Sequence, residues 1–168
     1  MMADLRSDYL EGMSRAAATV NIITTDGSAG RAGLTVSAMA SVSADTAKPT
    51  LLICINARSG GSDAIIGNGV FAVNVLGEDQ TKVSDVFAGR TGQVGEARFD
   101  CARWDVGVTG APLLEQALVS FDCRIALRRQ VGTHHVLFGE VEEVRISGSG
   151  RPLIYAQRCY GVPSELIG

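Results

Sequence analysis

The sequence predicts a mainly β protein, an antiparallel barrel with helices packed on it. Segments rich in β-branched residues, several of them alternating apolar and polar, cluster at residues 19–56 and 119–156. They lack the strand–helix–strand regularity of a parallel doubly wound sheet. There is also no Gly-x-Gly-x-x-Gly, so any dinucleotide on this chain is held without a Rossmann fingerprint.

The elements follow in order. From Ser7 to Ala18, Tyr9, Leu10, Met13, Ala16 and Ala17 approximate one helical face, with Asp4 or Ser7 as N-cap. The β-branched run Thr19–Thr25, the turn cluster Asp26–Gly30 and the segment Ala32–Ser43 read as a hairpin. Pro49–Asn56 is a buried strand. Ser62–Asn68 is a short helix ended by Gly67 or Gly69, Val70–Leu76 a strand, and Glu78–Ala88 an amphipathic helix ended by Gly89. Residues 90–115 contain Gly92, Gly95, Gly107, Gly110 and Pro112 and read as a long ordered loop anchored by Trp104. Val119, Phe121, Cys123, Ile125 and Leu127 alternate with polar or small residues, a strand with one buried face. His135–Ile146 is its partner after the Gly132-Thr133 turn, and its alternation slips near Glu142-Glu143, as a bulge requires. Pro152–Tyr155 is a final short strand.

A length of 168 residues with 46% hydrophobic and 20% charged side chains predicts one domain, 1–168, with a real core. The net charge of −3 and pI near 5.3 lack the clustered Lys and Arg that neutralise phosphates, so nucleic acid is not expected as a partner. The opening residues are acidic rather than basic, and no apolar stretch reaches membrane-spanning length, so a cytoplasmic location with no membrane partner is expected. Cys54, Cys101, Cys123 and Cys159 include no Cys-x-x-Cys pair, and neither a metal site nor a disulfide is expected. Cys54 and Cys123 sit in strand-like runs, where a free thiol packs as a small hydrophobe.

The stretch Gly33-Leu34-Thr35-Val36-Ser37-Ala38-Met39-Ala40-Ser41-Val42-Ser43 is small, hydroxyl-rich and uncharged where ordinary surface carries Lys and Glu. It reads as backbone offered to a ligand. One strand later comes a second polar turn, Ala57-Arg58-Ser59-Gly60-Gly61-Ser62. Two turns separated by one strand can face the same pocket.

In order along the chain, Val20–Gly27, Gly33-x-Thr35-x-Ser37-Ala38-x-x-Ser41-Val42, Cys54-Ile55-Asn56 with Ser59, Val73-Asn74-Val75-Leu76, Phe87-Ala88-Gly89, Gly132-Thr133-His134 and Leu153-Ile154-Tyr155 resemble the short-chain flavin reductases. The match runs from about Met13 to Tyr160. It is most similar to the reductase components of two-component flavin monooxygenases of the 4-hydroxyphenylacetate 3-monooxygenase type. The resemblance implies an FMN-binding split β-barrel, an antiparallel Greek-key barrel that is usually a homodimer. It also implies reduction of flavin, FMN or alternatively FAD, by NADH or NADPH, with reduced flavin handed to a partner oxygenase. Hydride transfer is performed by the cofactors while the protein aligns the rings and binds their polar ends, so no catalytic triad is required.

Carried over by position, Thr35, Val36, Ser37 and Ala38 line the isoalloxazine with backbone groups. Cys54, Ile55 and Asn56 run beside the ribityl chain. Ser59 and Ser62, with amides of the Gly-rich turn, hold the phosphate at the start of the short helix, and Arg58 or Arg90 adds a charge-assisted contact. Phe87 and Gly89 border the site or simply end a helix. Tyr155 stacks near the nicotinamide or packs in the core. His134 positions the pyridine nucleotide or supports protonation at the flavin, against the alternative of a hydrogen-bonded strand-end histidine, which is the reading given to His135. Thr133 stands where the family often has Asp, which weakens an acid-supported proton role. Two further functions stay open: a bound-FMN reductase passing electrons to a corrinoid or other acceptor, and a non-enzymatic flavin- or haem-binding split barrel.

Overall fold

The computed structural model describes residues 4–146 and 149–166; Met1–Ala3, part of the acidic opening stretch, lie outside them. Helix α1 (Leu5–Ser14) starts at Asp4, whose carboxylate accepts the Arg6 amide. It ends earlier than the apolar spacing suggests, because Ala18–Thr19 already form strand β1. Its Leu5, Tyr9, Leu10 and Met13 stay exposed, and none of its residues is buried.

The barrel is built from β2 (Asn21–Thr25), β3 (Ala32–Val36), β4 (Met39–Ser43), β5 (Thr50–Asn56), β6 (Val70–Val75), β9 (Val119–Val131) and β10 (His134–Ile146). These form one antiparallel sheet in the order β3-β2-β6-β9-β10-β5-β4. Strands β3 and β4 are consecutive in sequence yet occupy opposite edges of the sheet. Only Ser37 and Ala38 connect them, so the sheet must curl until its edges nearly meet. The seam between those edges is where the barrel stays open.

Inside the curl, Ile23, Leu34, Val36, Leu51, Ile53, Ile55, Phe71, Val73, Cys123 and Leu137 form the main core. They come from alternate positions of each strand, as the pleat dictates. Helix α2 (Ser62–Asn68) ends on Gly69, whose φ of 69° supplies the left-handed turn, and plugs one end with Ile65. A second core lies between the outer face of β2 and helix α3 (Thr81–Phe87), with Val20, Ile22, Val83, Val86, Phe87 and Phe99.

Residues 90–115 are more structured than a loop. They contain a 3-10 helix, η1 (Gly95–Cys101), and a small hairpin of β7 (Trp104–Val106) and β8 (Pro112–Leu114). Phe87, Phe99 and Trp104 pack edge to face with ring centroids 5.0–5.5 Å apart, which ties this region to α3. The small hairpin covers the outer face of the sheet, so β9 is buried on both faces at its start: Ser120 and Asp122, expected at the surface, are inside. The register of β9 with β10 shifts at Phe138/Gly139 and at Val141/Glu143, the second beside the residues where the alternation slips. Strands β11 (Ile154–Ala156) and β12 (Cys159–Gly161) pair with each other, and β11 pairs with β1. Gln157 and Arg158 turn between them at positive φ, a hairpin that the sequence reading stops short of. Among the described residues no helix is long and apolar enough to cross a membrane.

Candidate functional site

The seam opens into a cleft of about 460 Å³. One wall is the end of β3, Leu34–Val36, continuing into Ser37 and Ala38; the facing wall is Cys54 and Asn56 of β5, with Ser59 and Gly60 beyond. Phe87 and Ala88 at the end of α3, Arg98 of η1 and His134 at the start of β10 complete it.

The connection is held by two backbone bonds, Met39 N–H to Ser37 O at 3.1 Å and Cys54 N–H to Ala38 O at 3.1 Å. The Ser37 and Ala38 amides themselves find no acceptor among the described residues, and both residues are exposed. Two adjacent unpaired donors on a wall with a methyl-sized side chain can approach the edge of a flat polar ring. Thr35 turns its hydroxyl away, donating to Ser84 O at 2.8 Å, and so ties β3 to α3.

Strand parity sorts the β5 residues. Cys54 and Asn56 face the cleft, whereas Ile55 is 1% exposed and packs in the barrel core, so its side chain does not reach the site. Burial pushes the Cys54 thiol up from its ordinary range, consistent with a packed, unreactive sulfur. The Asn56 carbonyl accepts the Ser59 hydroxyl at 2.7 Å, and its side-chain oxygen accepts the Arg58 amide at 2.9 Å. Ser62 is fully buried behind that turn and does not line the cleft; its hydroxyl has no partner among the described residues. Gly89 is likewise no wall of the cleft, but with φ 76° it lets the chain leave α3.

A second, smaller cavity of about 200 Å³ adjoins the first across Thr35–Ser37. Arg90 and Tyr155 lie here rather than in the main cleft, with Val20, Ser84, Ala88 and Tyr160. The Arg90 guanidinium pairs with Asp85 at 2.8 Å, and the Tyr160 hydroxyl contacts the same carboxylate at 2.7 Å and Ser84 Oγ at 2.9 Å. Burial holds the Tyr160 phenol above its usual range. Tyr155 and Tyr160 pack edge to face, centroids 5.6 Å apart.

His134 sits at the rim, opposite Asn56 in the β10–β5 register, with Nδ1 3.0 Å from the Thr133 hydroxyl. Its other ring nitrogen has no partner among the described residues and is free to meet a ligand. His135 points the other way, half-buried. Leu34 and Gly60 come from the two stretches the sequence offers to a ligand, whereas Arg98 and Ala88 are not singled out for the cleft, nor Val20, Ser84 and Tyr160 for the smaller cavity. The signal available for Arg98 is its place beside Phe99, an aromatic anchor in a glycine-flanked segment.

An antiparallel barrel left open at one seam, with backbone donors and a cation on the walls of the opening, defines a small barrel with a cleft suited to a polar or anionic small molecule. The chain belongs to the family described as flavin reductase like domain, whose model matches residues 13–163. It is 46% identical over 156 residues to the FMN reductase (NADH) RutF of Stutzerimonas stutzeri, covering 93% of this chain and 87% of that protein. Among solved structures, a flavin reductase domain protein from Arthrobacter sp. FB24 is 27% identical, with a TM-score of 0.87 over 98% of this chain and 99% of that one. BorF, the flavin reductase component of a bacterial two-component tryptophan halogenase, is 28% identical, with a TM-score of 0.83 over 95% and 99%.

Proposed function

We propose that this protein is an NADH-dependent flavin reductase that takes FMN into the seam between β3 and β5 and delivers reduced flavin to a partner oxygenase. The observation that carries the reading is the pair of unpaired Ser37 and Ala38 amides on the wall of a cleft large enough for a tricyclic ring. The names of relatives at 46–49% identity, FMN reductase (NADH), support the choice of FMN and NADH. The role of BorF as a reductase component supports an oxygenase or halogenase as recipient.

The Ser37 and Ala38 amides donate to the polar edge of the flavin ring, and the small Ala38 side chain lets the ring approach. Thr35, locked to Ser84, keeps Val36 and Ser37 in register behind it. Cys54 and Asn56 flank the ribityl chain, with Ile55 acting from the core to fix their strand. Phe87 closes the wall. His134, at the open rim, orients the nicotinamide against the ring face. Hydride transfer from nicotinamide to flavin is the chemistry the two cofactors supply. The protein's task is to align them.

The exposed Leu5, Tyr9, Leu10 and Met13 of α1 suit burial in a homodimer. A cytoplasmic homodimer of one-domain subunits completes the proposal, and sedimentation of a monomer that still turns over rejects the dimer. The first experiment is the visible spectrum of the purified protein, followed by anaerobic addition of NADH with and without added FMN. Bleaching of excess free FMN supports a flavin-supplying reductase. Bleaching confined to a retained chromophore points instead to a bound-flavin electron donor, and no bleaching rejects reductase activity.

A further inference from the structure

We propose that Thr133 is a positioning residue whose hydroxyl fixes the His134 ring in the tautomer that carries its proton on Nε2 and donates it into the cleft. This deepens the flavin-reductase reading and rests on it for the acceptor, the carboxamide oxygen of the nicotinamide.

The backbone around the pair is fixed by its neighbours. Gly132, at φ 57°, and Thr133 form the turn between β9 and β10. Thr133 O accepts the Ala57 amide at 2.9 Å, which ties that turn to the one after β5. His134 then stands in register between Val131 of β9 and Asn56 of β5. Directly opposed residues of an antiparallel pair share a face of the sheet, so the imidazole lies on the side of Asn56, which lines the cleft together with Cys54. What the backbone leaves undecided is the rotation of the ring and the nitrogen that bears the proton.

The Thr133 hydroxyl decides both. It lies 3.0 Å from Nδ1 and has no other partner among the described residues. A β-branched side chain is stiff at χ1, so the oxygen is offered from a narrow range of positions. A hydroxyl has a proton to give and a neutral imidazole has one nitrogen to accept it, and the bond made by one ring nitrogen sets where the ring proton sits. With Nδ1 accepting from Thr133, the ring proton is on Nε2. No carboxylate or backbone carbonyl contacts the ring among the described residues to draw the proton onto Nδ1 instead.

Nε2 is the far atom of an exposed ring at the cleft rim. Presented there as N–H it is an uncharged donor, which recognises a carbonyl oxygen, and the carboxamide is the carbonyl that the pyridine ring of NADH carries. A neutral ring of this kind holds the pyridine rather than protonating anything, since loss of its Nε2 proton would leave an anion. Thr133 therefore acts on the reaction only through His134.

The test is nitrogen NMR of the imidazole rings in isotope-labelled protein, paired with steady-state kinetics, on the wild type, Thr133→Val and Thr133→Ser. The chain has two histidines, and His134→Ala assigns their signals. At a pH where the ring is neutral, wild-type His134 is expected to show Nδ1 as an unprotonated acceptor and Nε2 as a protonated nitrogen. Thr133→Val keeps the shape and removes the hydroxyl. It is expected to move the signals toward a mixture of tautomers and to raise KM for NADH by about 3- to 10-fold, the size of one neutral hydrogen bond, with kcat and FMN affinity within about two-fold. Thr133→Ser keeps the hydroxyl and is expected to restore the tautomer and the KM. A wild-type ring protonated on Nδ1 overturns the assignment, as do wild-type signals in Thr133→Val or a rise in KM that the serine variant shares. If Thr133→Val does not fold, the wild-type tautomer decides. Wild type that shows the expected tautomer but leaves FMN oxidised under NADH supports the action of Thr133 on His134 while rejecting the reductase reading, and the carboxamide with it.

Discussion

Gly33 and Phe87 touch so closely that no side chain fits between them: a Cβ built on Gly33 falls 2.6 Å from Phe87 Cε1 and 2.9 Å from Cδ1. Phe87 is 2% exposed and forms part of the cleft wall, so it has little room to retreat except toward the ligand. Gly33→Ala is expected to destabilise the fold by about 1–3 kcal/mol through overpacking and to weaken FMN binding as the ring is pushed into the cleft. Urea unfolding and flavin titration of the same variant check the two effects. Unchanged FMN affinity in a destabilised variant would place the ring's movement elsewhere.

His134→Ala is expected to leave FMN affinity within about two-fold, because the histidine sits at the rim, and to lower kcat/KM for NADH by about 10- to 100-fold, the lower range for a positioned imidazole. Steady-state kinetics against NADH at saturating FMN reads this out. Wild-type kinetics in the variant reject the role.

Asn74 is fully buried and uses its whole amide: Nδ2 donates to Ile22 O and Thr24 Oγ1 at 3.1 Å each, and Oδ1 accepts from Leu114 N–H and Ser120 Oγ at 2.8 Å each. It fastens the β7–β8 hairpin onto the sheet. Asn74→Ala strands several of these groups without water, at about 1–3 kcal/mol apiece, so a loss of roughly 3 kcal/mol or more is expected by chemical denaturation. A loss below about 1 kcal/mol would mean that water replaces the amide.

Asp122 is buried beneath the turn at residues 107–110 and accepts the Thr109 amide at 2.7 Å and the Thr109 hydroxyl. Burial raises its pKa above the ordinary carboxylate range, and the Thr109 bonds only partly offset that. The folded state then holds this proton more tightly than the unfolded chain, so its contribution to stability is full below the unfolded pKa and declines as pH rises through the folded one. Asn in its place removes that slope. The difference in urea midpoint between wild type and Asp122→Asn is expected to move in favour of the variant between about pH 4 and pH 7; a pH-independent difference contradicts the assignment.

Much of the barrel is legible because single residues force it. Gly69 ends α2 where a left-handed residue is needed, Gly132 turns β9 into β10, and the break in alternation at Glu142-Glu143 marks a real shift in register. The Thr35–Ala38 wall is legible for a related reason: a run so poor in charge has few other uses. What escapes reading depends on three-dimensional packing. Ile55 is separated from Cys54 and Asn56 only by strand parity, and Ser120 and Asp122 look like a solvent face until the β7–β8 hairpin covers them. Arg98 lies in a segment with no periodicity, held by aromatic contacts that involve residues far apart in sequence.

The two-residue link between β3 and β4 joins hairpins that are neighbours in sequence but lie at opposite ends of the sheet order. Between them stand β6, β9 and β10, and β5 is held in place by β10, whose residues emerge some eighty positions later. During synthesis, then, the residues of both cleft walls emerge long before the strand that brings them face to face. Flavin has nothing to grip until the last long strand is threaded between them, so capture of the cofactor is tied to completion of the chain and cannot guide its early folding.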